Sequence, residues 1–172
     1  MESGNEIVNR VAGSSIKVFD LEEYYLPGER VLLDIKDQLY QGMILKEKIF
    51  RDFIKSHDWS QYKNKFVAIT CSEDAIVPTW AYMLLTSALE PFARTIVFGG
   101  LDDLEKKIFY DALSRIDWKQ FKDAKVVMKG CSKVAVPTAA YVEATRLMRP
   151  YAASIMFGEP CSTVQVFKKS RI

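Results

Sequence analysis

Apolar positions along the chain follow two alternating rhythms. Over residues 45–55 they fall at Leu45, Ile49, Phe50 and Phe53 with charges between them, the spacing of one face of an amphipathic helix. Residues 104–115 repeat the pattern with Leu104, Ile108, Phe109 and Ala112. An acid–tryptophan pair closes each helix, Asp58-Trp59 in one case and Asp117-Trp118 in the other. Short apolar runs bounded by polar turns follow at 66–70 and 125–129 and read as buried strands. A second helix opens at Val77-Pro-Thr and again at Val136-Pro-Thr, where a proline in the first turn forfeits no hydrogen bond. Pro91 and Pro150 stop these helices. Residues 95–98 and 154–157 read as strands ending at Gly99 and Gly158. Residues 30–40 hold a further apolar run suited to a strand, and 163–167 alternate enough to add one at a sheet edge.

The two halves of this pattern are in register. Shifting the chain by 59 residues sets Trp59 on Trp118 and gives 21 identities over the 55 positions from Leu45/Leu104 to Gly99/Gly158, with no gap. A match of that density in one register reads as a tandem duplication of a helix-strand-helix-strand unit, with copies at 41–99 and 100–158. Strands alternating with helices of ten or more residues imply a mostly parallel sheet covered on both faces. The expected fold is a single three-layer α/β domain over 1–172, with 1–16 as a mobile N-terminal segment. A pseudo-two-fold axis between the copies would make the strands at 66–70 and 125–129 neighbours.

Composition narrows the class without naming a reaction. The chain has 172 residues, 49% apolar and 27% charged, which is enough apolar material for a core and excludes disordered, collagenous and disulfide-scaffold proteins. A net charge of +2 leaves no electrostatic footprint for nucleic acid or a membrane surface. The first fifteen residues lack the unbroken apolar stretch of a signal peptide, and the most apolar window, 77–89, is too short to span a bilayer. A soluble, cytoplasmic protein is expected, in which the three cysteines are thiols, metal ligands or redox groups rather than bridges.

Those cysteines fall at informative places. Cys71 follows the strand at 66–70, Cys131 follows its counterpart at 125–129, and Cys161 stands three residues beyond Gly158; each is followed by serine. In open parallel sheets the ligand crevice lies at the carboxyl ends of the strands, so all three are expected at one edge of one sheet. Three convergent thiolates suit zinc or an iron-sulfur cluster, with Glu159, Glu73, Asp74 or an exogenous group as a further ligand. The opposing reading is that a free cysteine is a small buried hydrophobe, and no tight metal-type spacing is present. Ser132 and Lys133 beside Cys131 make the second copy the better site, because a lysine lowers a thiol pKa or meets an anion. His57 stands at the far end of the strand leading to Cys71, too distant for a Cys–His dyad, and reads as a cation near a helix end. Glu143 and Arg146 read as an exposed helix pair. The helix at 80–89 is apolar nearly all round, which fits a buried helix or a homodimer contact. No phosphate loop, dinucleotide fingerprint or paired-histidine motif occurs.

The stretches Glu6-Ile-Val-Asn-Arg10, Gly28-Glu-Arg-Val-Leu-Leu-Asp-Ile-Lys36, His57-Asp-Trp-Ser60, Val77-Pro-Thr-Trp-Ala-Tyr82 and Gly158-Glu-Pro-Cys-Ser162 resemble the bacterial domain-of-unknown-function 2480 family over nearly the whole chain. The resemblance implies a small cytoplasmic protein of no assigned activity, associated with gene neighbourhoods for iron-sulfur cluster assembly. Three functions stay open. The first is a thiol-dependent accessory or carrier protein acting through Cys131 and Cys161, with Cys71 as a third ligand. The second is a non-catalytic homodimeric interaction module that also docks a protein partner, and the third is a small-molecule enzyme using the crevice.

Overall fold

The computed structural model describes residues 16–130, 133–159 and 162–170. In chain order the elements are β1 Ile16–Asp20, β2 Arg30–Asp34, α1 Glu47–Ser56, β3 Phe66–Thr70, α2 Thr79–Leu89, β4 Thr95–Phe98, α3 Leu101–Ser114, β5 Lys125–Lys129, α4 Thr138–Met148, β6 Ser154–Glu159 and β7 Ser162–Lys168. Parallel sheets joined through helices make this an α/β protein, as the pattern implies. Every helix and strand read from the rhythm is present. β1 is additional, and its first residue, Ile16, is the last of the segment expected to be mobile; the rest of that segment lies outside the described residues.

The sheet arrangement differs from the expected one. The strands form two sheets, β2-β3-β4 and β1-β5-β6-β7, so β3 and β5 are not neighbours. The reason is that each already has both edges occupied: β3 pairs in parallel with β2 and β4, and β5 with β1 and β6. A strand has only two edges, and the short N-terminal strands β1 and β2 take the positions that a shared sheet would need. The chain correspondingly divides into two compact units: a continuous one, Leu26–Asp111, and a split one formed by the residues on either side of it.

In the continuous unit β3 is buried on both faces. Val67 and Ile69 join a core with Phe50 of α1 and with Ala81, Leu85 and Leu89 of α2. Phe66 and Ala68 point the other way, onto Leu104 and Ile108 of α3. Helices on both faces satisfy the apolar pattern of a parallel strand, and the unit is three-layered. In the split unit Phe19 of β1 packs against Trp118 and Phe121, with ring centroids 5.4 and 5.5 Å away. Val126, Val127 and Met128 of β5 are buried.

Local devices recur at the 59-residue spacing. The Asp58 carboxylate accepts from Ser60 N–H at 3.0 Å and the Asp117 carboxylate from Lys119 N–H at 3.1 Å, each capping a short 3-10 turn. The Trp59 indole N–H donates to Ile54 C=O at 2.8 Å, and that of Trp118 to Leu113 C=O at 3.1 Å. Asn64 and Asp123 both adopt left-handed φ, 61° and 56°, and donate N–H to Phe92 and Tyr151 C=O at 2.9 Å. Pro78 and Pro137 are N-caps rather than first-turn residues, one position earlier than expected.

Candidate functional site

The carboxyl ends of the parallel strands are built alike in the two units and finished differently. β2 ends on Asp34, which stands opposite Thr70 of β3; β1 ends on Asp20, opposite Lys129 of β5. Each aspartate accepts the backbone N–H two residues on, Lys36 or Glu22, at 3.0 Å; Asp20 thereby caps the short 3-10 turn that follows it, whereas Asp34 stands one residue ahead of its turn's cap, Ile35. In the continuous unit the Asp34 carboxylate also accepts Ser72 N–H at 3.1 Å and the Ser72 hydroxyl at 2.5 Å. Partial burial raises the Asp34 pKa, but the Ser72 hydroxyl, the two N–H groups and the Lys36 ammonium together outweigh it and hold the carboxyl below its ordinary value.

Cys71, beside that aspartate, is half-buried against the core, and its thiol donates to Glu73 C=O at 3.6 Å. Tyr82 stands nearby; burial raises its pKa, with the Cys71 and Asp34 charges adding to the effect. Glu73 and Asp74 are exposed.

In the split unit a lysine replaces the serine as partner of the strand-end aspartate. Lys129 Nζ lies 3.1 Å from Asp20 Oδ2, and its pKa is raised by that hydrogen bond and charge, and by Glu159 and Glu22. Lys133 is exposed and donates its backbone N–H to Glu22 Oε1 at 2.7 Å. Gly130 is required here: a Cβ would stand 2.7 Å from the Tyr141 hydroxyl oxygen. Cys131, Ser132 and Cys161 lie outside the described residues. The expected meeting of the three thiols therefore also lies outside the described residues; Cys71 follows β3 of the three-stranded sheet, whereas β5 and β6, which end on Lys129 and Glu159, belong to the other. Among the described residues no three His, Cys, Asp or Glu side chains are grouped to hold a metal ion.

His57 closes α1, its ring 5.0 Å from Phe53 and 4.6 Å from Trp59, with Nε2 3.1 Å from Tyr62 Oη. It is an aromatic-packed helix end at the opposite end of β3 from Cys71. Glu143 and Arg146 form the expected helix-face pair, with guanidinium N–H groups 2.6 and 2.8 Å from the carboxylate oxygens, though only Arg146 is exposed and Glu143 is half-buried.

A second feature was not legible as a site in the sequence. Between α2 and β4 an open apolar groove of about 700 Å³ is lined by Ile69, Tyr82, Met83, Ile96 and Phe98. Its counterpart between α4 and β6, about 570 Å³, is lined by the residues 59 positions later, Met128, Tyr141, Val142, Ile155 and Phe157, together with Val166 of β7. Each has an aromatic pair at its mouth, Tyr82–Phe98 at 4.9 Å and Tyr141–Phe157 at 5.6 Å, both edge-on. Met83 and Phe98 are 67% and 66% exposed. The only hint in the sequence is that α2 has no charged residue on any face.

No helix among the described residues is long and apolar enough to cross a membrane. A family model described as a protein of unknown function (DUF2480) matches residues 5–169. No curated protein and no solved structure matches the chain.

Proposed function

Since the chain belongs to the DUF2480 family, whose description assigns no activity, we propose from geometry that it is a non-catalytic interaction module that works as a homodimer through the apolar strip of α2 and β4. The observation that carries this reading is the pair Met83 and Phe98, both about two-thirds exposed beside an apolar groove. Contiguous exposed apolar surface of this kind marks interaction sites. Burying one such side chain contributes roughly 1.5–3 kcal/mol, and a two-fold contact buries each residue twice. α2 itself carries no charge, and among the described residues the groove's one charged lining residue, Glu90, lies at the C-cap end of that helix. Sedimentation equilibrium over a concentration series tests the reading. A dimer is expected, with Met83→Glu shifting the protein to monomer while circular dichroism stays unchanged; a wild-type monomer up to about 100 μM, the scale of a weak specific contact, would end the reading.

A second reading, a thiol-dependent accessory protein, is favoured by one observation in the split unit. The parallel pairing of β5 with β6, Met128 beside Phe157, brings to one edge the strand ends that precede Cys131 and Cys161 in sequence. Lys129 there is close enough to Glu159 for its pKa to respond. Zinc and iron analysis of anaerobically purified protein, alongside Cys131→Ser and Cys161→Ser, separates the two readings. Stoichiometric metal lost in both variants supports thiol chemistry, and metal-free protein with unchanged self-association supports the module.

A further inference from the structure

We infer that the open edge of β4 pairs antiparallel with β4 of a second copy, joining two three-stranded sheets across a two-fold axis. The inference rests on the homodimeric reading above and specifies its contact.

The same chain shows how such an edge is finished. β4 and β6 occupy equivalent places, 59 residues apart, as the last parallel strand of their sheets. β6 is covered along its outer side by β7, antiparallel, from Ser154↔Lys168 to Glu159↔Ser162. Among the described residues β4 pairs only with β3 and is left at an edge. The consequence appears in burial: Ile155 of β6 is 1% exposed, whereas its counterpart Ile96 is only partly buried.

The edge is also unprotected. Exposed edges are ordinarily blunted by lysine, proline or a bulge, yet β4 reads Thr-Ile-Val-Phe, with none of these. Arg94, the residue before β4, is turned back into its own unit, its guanidinium 4.8 Å from the Phe66 ring and 3.4 Å from Pro27 C=O. Gly99 N–H donates to Ile69 C=O across β3 at 3.0 Å. By the two-residue alternation of a strand, the N–H groups of Phe98 and Ile96 then point to the open side.

A second copy is the partner that fits. A two-fold axis generates antiparallel pairing of a strand with itself, so donors, acceptors and length match automatically. It also sets the exposed Phe98 of each copy opposite Ile96 of the other, in the register that pairs the outward N–H groups. Among the described residues the one antiparallel strand, β7, is already committed to β6.

Hydrogen exchange of the full-length protein, measured by mass spectrometry at dilute and concentrated conditions, tests the contact alongside sedimentation. Protection of 95–98 that rises as the dimer forms is the expected result. Phe98→Ala removes the ring and keeps the outward N–H, whereas Phe98→Pro removes both and leaves the ladder to β3 in place. The dimer dissociation constant is expected to rise about tenfold for the first and at least about a hundredfold for the second. A dimer whose 95–98 amides exchange equally at both concentrations overturns the edge pairing and leaves the dimeric reading standing. A monomer overturns both. Protection of 95–98 independent of concentration means that the chain's own residues or a bound foreign strand cover the edge, and overturns the inference.

Discussion

The continuous and split units are two solutions built on one backbone plan, and they part company at their margins. Both set a strand ending in aspartate beside a buried parallel strand, cap the next turn with Asp58 or Asp117, and run a helix from Pro78 or Pro137. The split unit closes its outer edge with β7, places a lysine on its strand-end aspartate, and carries the Glu143–Arg146 pair on α4. The continuous unit leaves β4 open, bonds its aspartate to Ser72, and has Leu84 and Ser87 where that charged pair would be. A shared interior with divergent margins shows that the interior is what the plan requires. The margins are where each unit acquires its own chemistry.

The largest test exchanges an interior residue that the plan does not hold constant. Leu85 of α2 is fully buried, and the position 59 residues later is Ala144, also fully buried. Leu85→Ala gives the continuous unit the split unit's residue and is expected to cost about 2–5 kcal/mol in urea unfolding, because the neighbours cannot collapse into the space. Ala144→Leu overpacks the split unit and is expected to cost about 1–3 kcal/mol. A neutral outcome for either would mean that the two cores are looser than their burial indicates. A smaller and symmetric effect is expected at the left-handed turns: Asn64→Ala and Asp123→Ala should each lose roughly 1–2 kcal/mol, since alanine has no side-chain polar group to ease positive φ. Unequal losses at these two positions would break the equivalence of the units at the turn that leads into β3 and β5.

The elements were legible because periodicity records burial, and burial acts locally along a strand or helix. Phe50 and Phe53 mark the inner face of α1 wherever that helix docks, although Ile49, at the same apolar spacing, is exposed, and Val67 and Ile69 mark a strand whichever neighbours it takes. Strand order was not legible, since it depends on which long-range partners claim the edges of β3 and β5. The missing signal was a second, weaker repeat. Phe19-Asp20-Leu21 and Leu33-Asp34-Ile35 stand 14 residues apart, each followed seven residues later by Gly28 or Gly42. Read together they announce two equivalent N-terminal strands, one for each central strand, and hence two sheets. At the candidate site, Cys71 at the end of β3 was legible from strand boundaries. The groove beside it was not, because an all-apolar helix reads the same whether it faces a core or an open surface.

The smallest expected effect sharpens the comparison at the strand-end aspartates, where the two units should lose stability at opposite ends of the pH scale. In the folded continuous unit the Asp34 pKa lies below its unfolded value of about 3.9. The folded state therefore binds fewer protons, and the stabilisation from Asp34 is complete above that value and fades as pH falls through the folded pKa. In the split unit the Lys129 pKa lies above its unfolded value of about 10.4. Its contribution is complete below that value and is lost as pH rises through the folded pKa. Both groups are solvent-accessible, so each effect should be modest and weakened by salt. Unfolding midpoints in urea across the pH scale should show Asp34→Asn flattening only the acid limb and Lys129→Thr, which installs the continuous unit's residue, flattening only the alkaline one. If Lys129→Thr changed the acid limb instead, the Asp20–Lys129 contact would not be the split unit's counterpart of Asp34 and Ser72, and the carboxyl edges would differ in more than the partner of one aspartate.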